Sequence, residues 1–467
     1  MPGSAGALAL VAVYAAVQVG YLGTELVYLF FLTRPSNWVD PAESASIPDD
    51  KLPHVVLLYP VLHEPQETMR TTFLSLEDLD YPADRCHIIA VVNQSDPLTT
   101  LSLERLRQEH PWLEIMVVPP TTDPSWDVVW NAWDREPKAY WWHTGRFAGV
   151  RDLPPKKTRQ LIYALYHLAT AHGDDWMLDY IDADSVPPAE HLREAAAGLR
   201  TYDVMQSTNI AGNLLDTWAA TWHAMDHMSW DGFAYSHLSD NGNQPYWVLG
   251  KGLFYMVPDL VALGGFNPWV AIEDPEVGLR LWKNGRRLGV IADPLIEEVP
   301  VTFRRGLTQR KRWICGFFQC SAWPLKAMGF TGWERFRARL NLVPVLSQLI
   351  NVVGVPLGIW AIVTFALGIS PLPLSLLALS LLTFSLYVFI GSLTGANTWR
   401  RTAIVLSRRR DRLRYMLRVS PPCLFAYWAW WVVPIAVGFR MFIGEGGLTW
   451  ERTTKIDANH ELVREIR

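Results

Sequence analysis

Apolar residues recur along this chain in two rhythms. Long uninterrupted runs lie near both ends, and short runs separated by polar stretches fill the middle. Residues 1–24 carry no charge, and beyond Glu25 the run continues through LVYLFFLT, a length that crosses a bilayer. A cleaved signal peptide would have a basic start, a shorter apolar core and a small-residue cleavage site. The basic start is missing and the run is too long, so residues 1–34 read as an uncleaved anchor. Toward the other end, Asn341 to Trp399 contains no charged residue. It suffices for two passes around a Ser370-Pro371-Leu372-Pro373 turn. A third apolar run covers residues 419–439. Between them, TWRRTAIVLSRRRDRLRYMLRVS carries eight arginines and one acid, a composition that belongs on the cytoplasmic side (basic amphipathic loop, 395–418).

The short runs alternate with helical stretches. HVVLLYPVL (54–62), HIIAVVN (87–93), LEIMVVP (113–119) and WMLDYI (176–181) read as buried strands. Residues 66–79 and SLERLRQE read as helices between them. This order predicts an α/β domain with a parallel, doubly wound, Rossmann-like sheet, whose ligands sit at the carboxyl ends of the strands. Residues 35–53 form a polar linker before it, 321–340 an interfacial segment after it, and 444–467 a polar tail. Residues 120–155 interrupt the pattern, with five tryptophans between Trp126 and Trp142. They read equally as a platform for sugar rings or lipid headgroups and as an insertion packing its own aromatic core.

A length of 467 residues accommodates one sizeable soluble domain plus membrane segments. A net charge of −4 excludes the chain as a whole from nucleic-acid binding. Cys86, Cys315, Cys320 and Cys423 show no CxxC spacing, so neither a disulfide framework nor a zinc site is suggested.

Candidate chemistry begins at LDYIDADS (178–185), where Asp182 and Asp184 follow an apolar strand. A hard divalent ion, Mg2+ or Mn2+, takes oxygen ligands and shares its shell with phosphates. Asp182 and Asp184 would hold such an ion against a diphosphate. Downstream lie VLGKGLFYMVPDLVALGGFN (248–267), AIEDPEVGLRLWKNGRR (271–287) and QRKRW (309–313). Gly250 and Gly252 would let backbone approach a bulky acceptor. Asp274, with Glu273 beside it, is the candidate base for an attacking hydroxyl. Arg310 and Arg312 would pair with phosphate oxygens and Trp313 would offer a ring face to a sugar. Each part has a plainer reading. The aspartates would cap a turn, Glu273 and Asp274 would cap the helix PEVGLRLW, and Gln309 to Trp313 would form a membrane collar. The order and spacing of all four favour one site.

On these motifs the chain resembles a membrane-embedded family-2 glycosyltransferase. The D-x-D, E-D and Q-x-x-R-W series is similar to that of cellulose and hyaluronan synthases and egghead-type mannosyltransferases. The resemblance covers roughly residues 54–320 and the membrane region after them. It implies a GT-A, nucleotide-diphospho-sugar transferase domain facing the cytoplasm at the inner or plasma membrane. It implies that Asp182 contacts nucleotide, Asp184 the metal, and Asp274 is the catalytic base. Gln309, Arg312 and Trp313 would hold the diphosphate and acceptor sugar, and Lys157, in KKTRQLIYAL, matches a basic residue near the nucleotide. Glu64, Asn93 and Asp96 join the candidate donor-binding set. The chain departs from the family at VVNQSD, where Asn93 stands first and Asp96 last, leaving UDP and GDP open. Ile162 stands where an Asn is usual.

In the tail, Trp450, Thr453 and Lys455 match the aromatic-x-x-T-x-K pattern of the cellulose-synthase gating loop. Covering the site would require a cytoplasmic tail, whereas three passes after a cytoplasmic domain place it outside. One run would then be re-entrant, with residues 419–439 and Pro434 as first suspect. A disordered polar tail is the other reading. The expected activity is inverting transfer from a nucleotide-diphosphate sugar with formation of a β-linkage, leaning to processive polysaccharide synthesis. Single addition to a lipid-linked acceptor, and a non-catalytic membrane scaffold, are the alternatives.

Overall fold

The computed structural model describes residues 5–44, 46–135, 147, 149–172, 176–322, 328–370, 372–444, 453 and 455–466. Helix α1 (Ala5–Leu32) leads through a short connection into the sheet domain. The expected linker is partly ordered into that domain, since Trp38 bridges to Val290 and Asn37 is fully buried.

Strands β1 (His54–Val61), β2 (Cys86–Asn93), β3 (Leu113–Val118) and β4 (Trp176–Tyr180) fall within a residue of their expected ends. β1 and β2 bury almost every side chain, as strands covered by helices on both faces must. On one face pack α2 (Gln66–Glu77) and α3 (Pro97–Glu109), through Met69, Phe73, Leu103 and Leu106. On the other packs α4 (Lys157–Ala171), together with Trp126, Trp130 and Trp133. Those three tryptophans are buried and pack on one another and on Tyr163, Trp126 stacking on Trp130, so they build core. Trp141 and Trp142 lie outside the described residues.

The sheet is completed by β5 (Val204–Ala211), β6 (Leu253–Met256) and β7 (Leu288–Glu297) in the order β3-β2-β1-β4-β6-β5-β7. It departs from the expected all-parallel sheet, because β6 runs antiparallel to both β4 and β5. The reversal has a positional consequence. The start of β6, and the VLGKG loop before it, arrive at the carboxyl end of β4 and beside the middle of β5. Gly252 donates its N–H to Tyr180 O at 2.7 Å and accepts from Ser207 N at 2.8 Å. Its φ is +59°, and a Cβ would lie 2.7 Å from Ser207 Cβ, so this position requires glycine.

Helix α5 (Asp274–Lys283) precedes β7, and α6 (Phe303–Ala322) follows it. Among the described residues, four helical stretches are long and apolar enough to cross a membrane: Gly6–Leu32, Ser347–Ala366, Leu374–Val405 and Cys423–Ile443. The last three correspond to α7 (Asn351–Ala366, with the turn before it), α8 (Leu374–Val405) and α10 (Pro421–Ile443). Between α8 and α10 the basic helix α9 (Arg409–Arg418) buries Tyr415 and donates from Arg418 to Leu215 O at 3.0 Å.

Helix α10 differs from the other three apolar helices, because it follows α6 along its length. Tyr427, Trp431 and Ile435 pack with Ile314, and Phe439 and Phe442 meet Phe318. At Gly438 the backbones approach so closely that a Cβ would lie 2.8 Å from Lys311 O. The tail, ending in α11 (His460–Ile466), returns to the sheet domain. Asp457 accepts from Thr71 on α2 at 2.7 Å and Val463 is buried. The described part of the tail is therefore ordered.

Candidate active site

Asp182 and Asp184 leave the carboxyl end of β4, the place an open α/β sheet offers ligands. Lys157, at the first turn of α4, donates to Asp182 Oδ1 at 2.5 Å and to Gly250 O at 2.6 Å. Lys251 Nζ lies 3.9 Å from Asp182 Oδ2. Burial alone would raise the Asp182 carboxyl, but Lys157 and Lys251 more than offset it and hold it at about 2. Asp184 is nearly fully buried; its Oδ2 accepts from Lys455 at 2.5 Å and from Glu298 N at 3.0 Å.

Around this pair stands a second tier. Lys251 pairs with Glu297, which also accepts from Ser185 at 3.2 Å. Glu298 accepts from Ile456 N at 2.7 Å and Ala458 N at 2.9 Å, fastening the tail. Burial, followed by the charge of Asp184, raises the Glu298 carboxyl.

Asp274 opens α5 and faces the same loop from the other side. A Cβ on Gly250 would lie 3.5 Å from Asp274 Cγ, in ordinary contact. Burial, with Glu273 beside it, pushes the Asp274 carboxyl up to about 8, so it holds its proton near neutrality. Glu273 is buried at the helix start without a side-chain capping bond, so the plain capping reading fails for it. Arg312 on α6 donates to Thr453 Oγ1 at 3.3 Å, two residues before Lys455 reaches Asp184. The tail thus joins the acid pair to Arg312, and the Lys157–Gly250 contact joins it to Asp274.

Other candidates fall elsewhere. Arg310 is not available to a phosphate. It is fully buried, donating to Asp226 Oδ2 at 2.5 Å, His223 O at 3.1 Å and Tyr427 Oη at 3.2 Å. Gln309 accepts from Arg310 at 3.2 Å, and the Trp313 ring lies 5.2 Å from the Arg310 guanidinium. Trp313 also packs with the α10 cluster. Arg310 and Trp313 fasten α10 to α6. Asp96 caps α3, accepting from Thr99 N at 3.3 Å and His63 N at 2.6 Å. Asn93 is fully buried, its Oδ1 accepting from Arg159 at 2.6 and 3.0 Å. Its Nδ2 has no partner among the described residues. Half-buried Glu64 acts electrostatically on Tyr59, whose hydroxyl donates to Ala183 O at 2.7 Å, between the two acids. Lys251, Glu297, Glu298 and Arg159 were not picked out by the motifs. A pair of acids ending an apolar strand, as in PLIEEV, was the available signal for two of them.

Among the described residues no three His, Cys, Asp or Glu side chains gather as a metal site. The donor set still suits a hard cation, because Asp184 Oδ1 is buried with no partner among the described residues. Two carboxylates leave most of an oxygen shell to be filled by phosphates.

A mixed sheet with acids and lysines at its carboxyl ends, and a buried carboxyl facing them, is the arrangement of a GT-A-like glycosyltransferase. The chain belongs to glycosyl transferase family group 2, which matches residues 179–443. A beta-monoglucosyldiacylglycerol synthase from Synechocystis sp. is 24% identical over 386 residues, 80% of this chain and 69% of the relative. The fold is similar to that of the mannosyltransferase PcManGT from Pyrobaculum calidifontis, solved with GDP-Man and Mn2+. That likeness has a TM-score of 0.53 at 18% identity, over 93% of this chain and 99% of the other.

Proposed function

We propose that this glycosyltransferase moves a sugar from a nucleotide-diphosphate donor to a hydroxyl of a lipid-borne acceptor, inverting the anomeric carbon to give a β-linkage. The observation that carries this reading is the arrangement of Asp182, Asp184 and three lysines facing Asp274 across the VLGKG loop. Lys157, Lys251 and Lys455 now neutralise carboxylates and are placed to turn to a diphosphate. A divalent ion, Mn2+ or Mg2+, held by Asp184 with Asp182, would supply further positive charge to the leaving group. Asp274 takes the proton of the acceptor hydroxyl as its oxygen bonds to the anomeric carbon. The bond to the diphosphate breaks on the opposite face, its electron pair leaving with the diphosphate. Arg312 stabilises that charge.

The named relative, a glycolipid synthase, favours single addition over the processive synthesis that the motifs suggested. The tail keeps the processive reading in play, because Thr453 and Lys455 lie over the acid pair as a gating segment would. Trp450, the third residue of that pattern, lies outside the described residues. Residues 54–320 form the catalytic domain in this reading, with 1–34 as anchor and 341–443 as the membrane region, and the domain faces the cytoplasm. Because the tail and α6 pack on one domain, the chain between them crosses the bilayer an even number of times. Helices α7 and α8 make the two crossings, and α10 lies along α6 at the membrane face.

Purified protein given radiolabelled UDP- and GDP-sugars with Mn2+ or Mg2+ and lipid acceptor tests this directly. One added sugar per acceptor supports the reading, a ladder of products supports processive synthesis, and no transfer from any donor overturns both.

A further inference from the structure

Helix α1 is more than an anchor. Tyr14, Tyr21, Glu25 and Tyr28 are spaced by seven, four and three residues, so they share one helix face. That face turns toward the other apolar helices: Tyr14 Oη lies 2.8 Å from Ser380 Oγ, and Tyr21 Oη donates to Asn351 at 2.8 Å. Glu25 is the only charged residue before Arg34. It forms no ion pair or hydrogen bond among the described residues, although it acts electrostatically on Tyr28 and on Tyr387 of α8. Tyr387 in turn accepts from Trp428 Nε1 of α10 at 3.0 Å. An ionisable side chain seven residues from the end of a spanning helix is costly to keep in hydrocarbon without a polar partner, and such residues mark ligand paths.

A second observation leads from Glu25 into the catalytic domain. The Tyr28 ring lies 6.1 Å from that of Trp230, in the π-helix His227–Ala234, and Trp230 stacks on Trp247 at 5.6 Å with ring planes 3° apart. Both indole N–H groups are buried with no partner among the described residues, and Trp247 is only 4% exposed. Trp247 sits against α5: a Cβ on Gly278 would lie 2.5 Å from Trp247 Cα. Gly278 and Asp274 are four residues apart, one turn along the same face of α5. Unpartnered donors in such positions call for acceptor oxygens.

We propose that Glu25, Tyr28, Tyr387, Trp230 and Trp247 form a headgroup site that receives a hydroxyl-bearing lipid from the bilayer and delivers its hydroxyl to Asp274. Glu25 accepts from headgroup hydroxyls, and the two indoles donate to headgroup oxygens. The ligand class is a neutral lipid whose head carries free hydroxyls, supplied as a glycerol or as a sugar. This rests on the lipid-acceptor reading above and adds the residues that recognise the head.

The test measures transfer in mixed micelles with two probes, dioleoylglycerol and a monoglycosyl diacylglycerol. Wild type is compared with Glu25→Leu, Glu25→Gln and Trp247→Phe, which keeps the ring and removes the donor. Leu26→Ala, on the exposed side of α1, is the control. The expected result is an acceptor KM raised roughly tenfold or more in the three site variants, with donor KM as internal standard. The control keeps the wild-type acceptor KM. The probe whose KM shifts more identifies the head as glycerol or sugar. Wild-type acceptor KM in all three site variants, or donor and acceptor KM rising together, overturns the site while leaving the lipid-acceptor reading standing. No transfer to either probe by wild type overturns both.

Discussion

As the proposed base, Asp274 carries two opposing demands. To accept a proton it must be ionised, yet burial beside Glu273 raises its carboxyl to about 8. For a base the sign is fixed: transfer is slow while the group is protonated and rises as pH passes through its raised value. Donor kcat/KM should therefore climb from pH 6 to a plateau above about pH 8, where an ordinary carboxylate would give a flat profile. Asp274→Asn should lower transfer by at least about a hundredfold. It should not lower stability. A carboxyl whose folded value lies above its unfolded one costs stability progressively from about pH 4 to about pH 8. Asparagine avoids that cost, so the variant's melting-temperature advantage over wild type should grow across that window. On the other side of the loop, EDTA should reduce transfer and added Mn2+ or Mg2+ should restore it. Full activity in EDTA would remove the metal from the proposed reaction.

At the scale of elements, motif order points to the acid pair and to Asp274 because they stand at a strand end and a helix start, and to Arg312 through its place within α6. Arg310 and Asp96 were misplaced for a common reason. A charged side chain in a motif looks the same in sequence whether it faces a ligand or satisfies buried backbone and carboxylate neighbours. Arg310 is committed to Asp226 and Tyr427, which lie far along the chain from it. The antiparallel β6 was also hidden, since four apolar residues carry no direction. Arg310→Met should leave Asp226 without its ion-pair partner, with only the Tyr427 hydroxyl remaining, and destabilise the protein by about 3 kcal/mol, seen as a lower melting temperature in detergent. Adding Asp226→Leu should recover most of that loss, because both charges are then removed. Absence of recovery would mean that Arg310 acts through something other than this pair.

For the whole molecule, the docked tail bears on a conflict present in the sequence. Three apolar runs after the catalytic domain imply an external tail, but the tail binds Asp184, Glu298 and Thr71. In the proposed topology α10 packs along α6 instead of crossing, and hydropathy does not separate the two because both favour apolar residues. Single cysteines at positions 443 and 460 should be labelled by an impermeant thiol reagent from the same side of the membrane as the catalytic domain. Labelling of position 460 from the opposite side would break the even-crossing topology.

The central claim is that Asp184 and Arg312, distant in sequence, grip one diphosphate. Calorimetric titration of UDP and GDP with Mn2+ into wild type, Asp184→Asn and Arg312→Ala tests it most directly. Each variant should bind its preferred nucleotide at least about tenfold more weakly than wild type. Undiminished affinity in either variant would contradict the account.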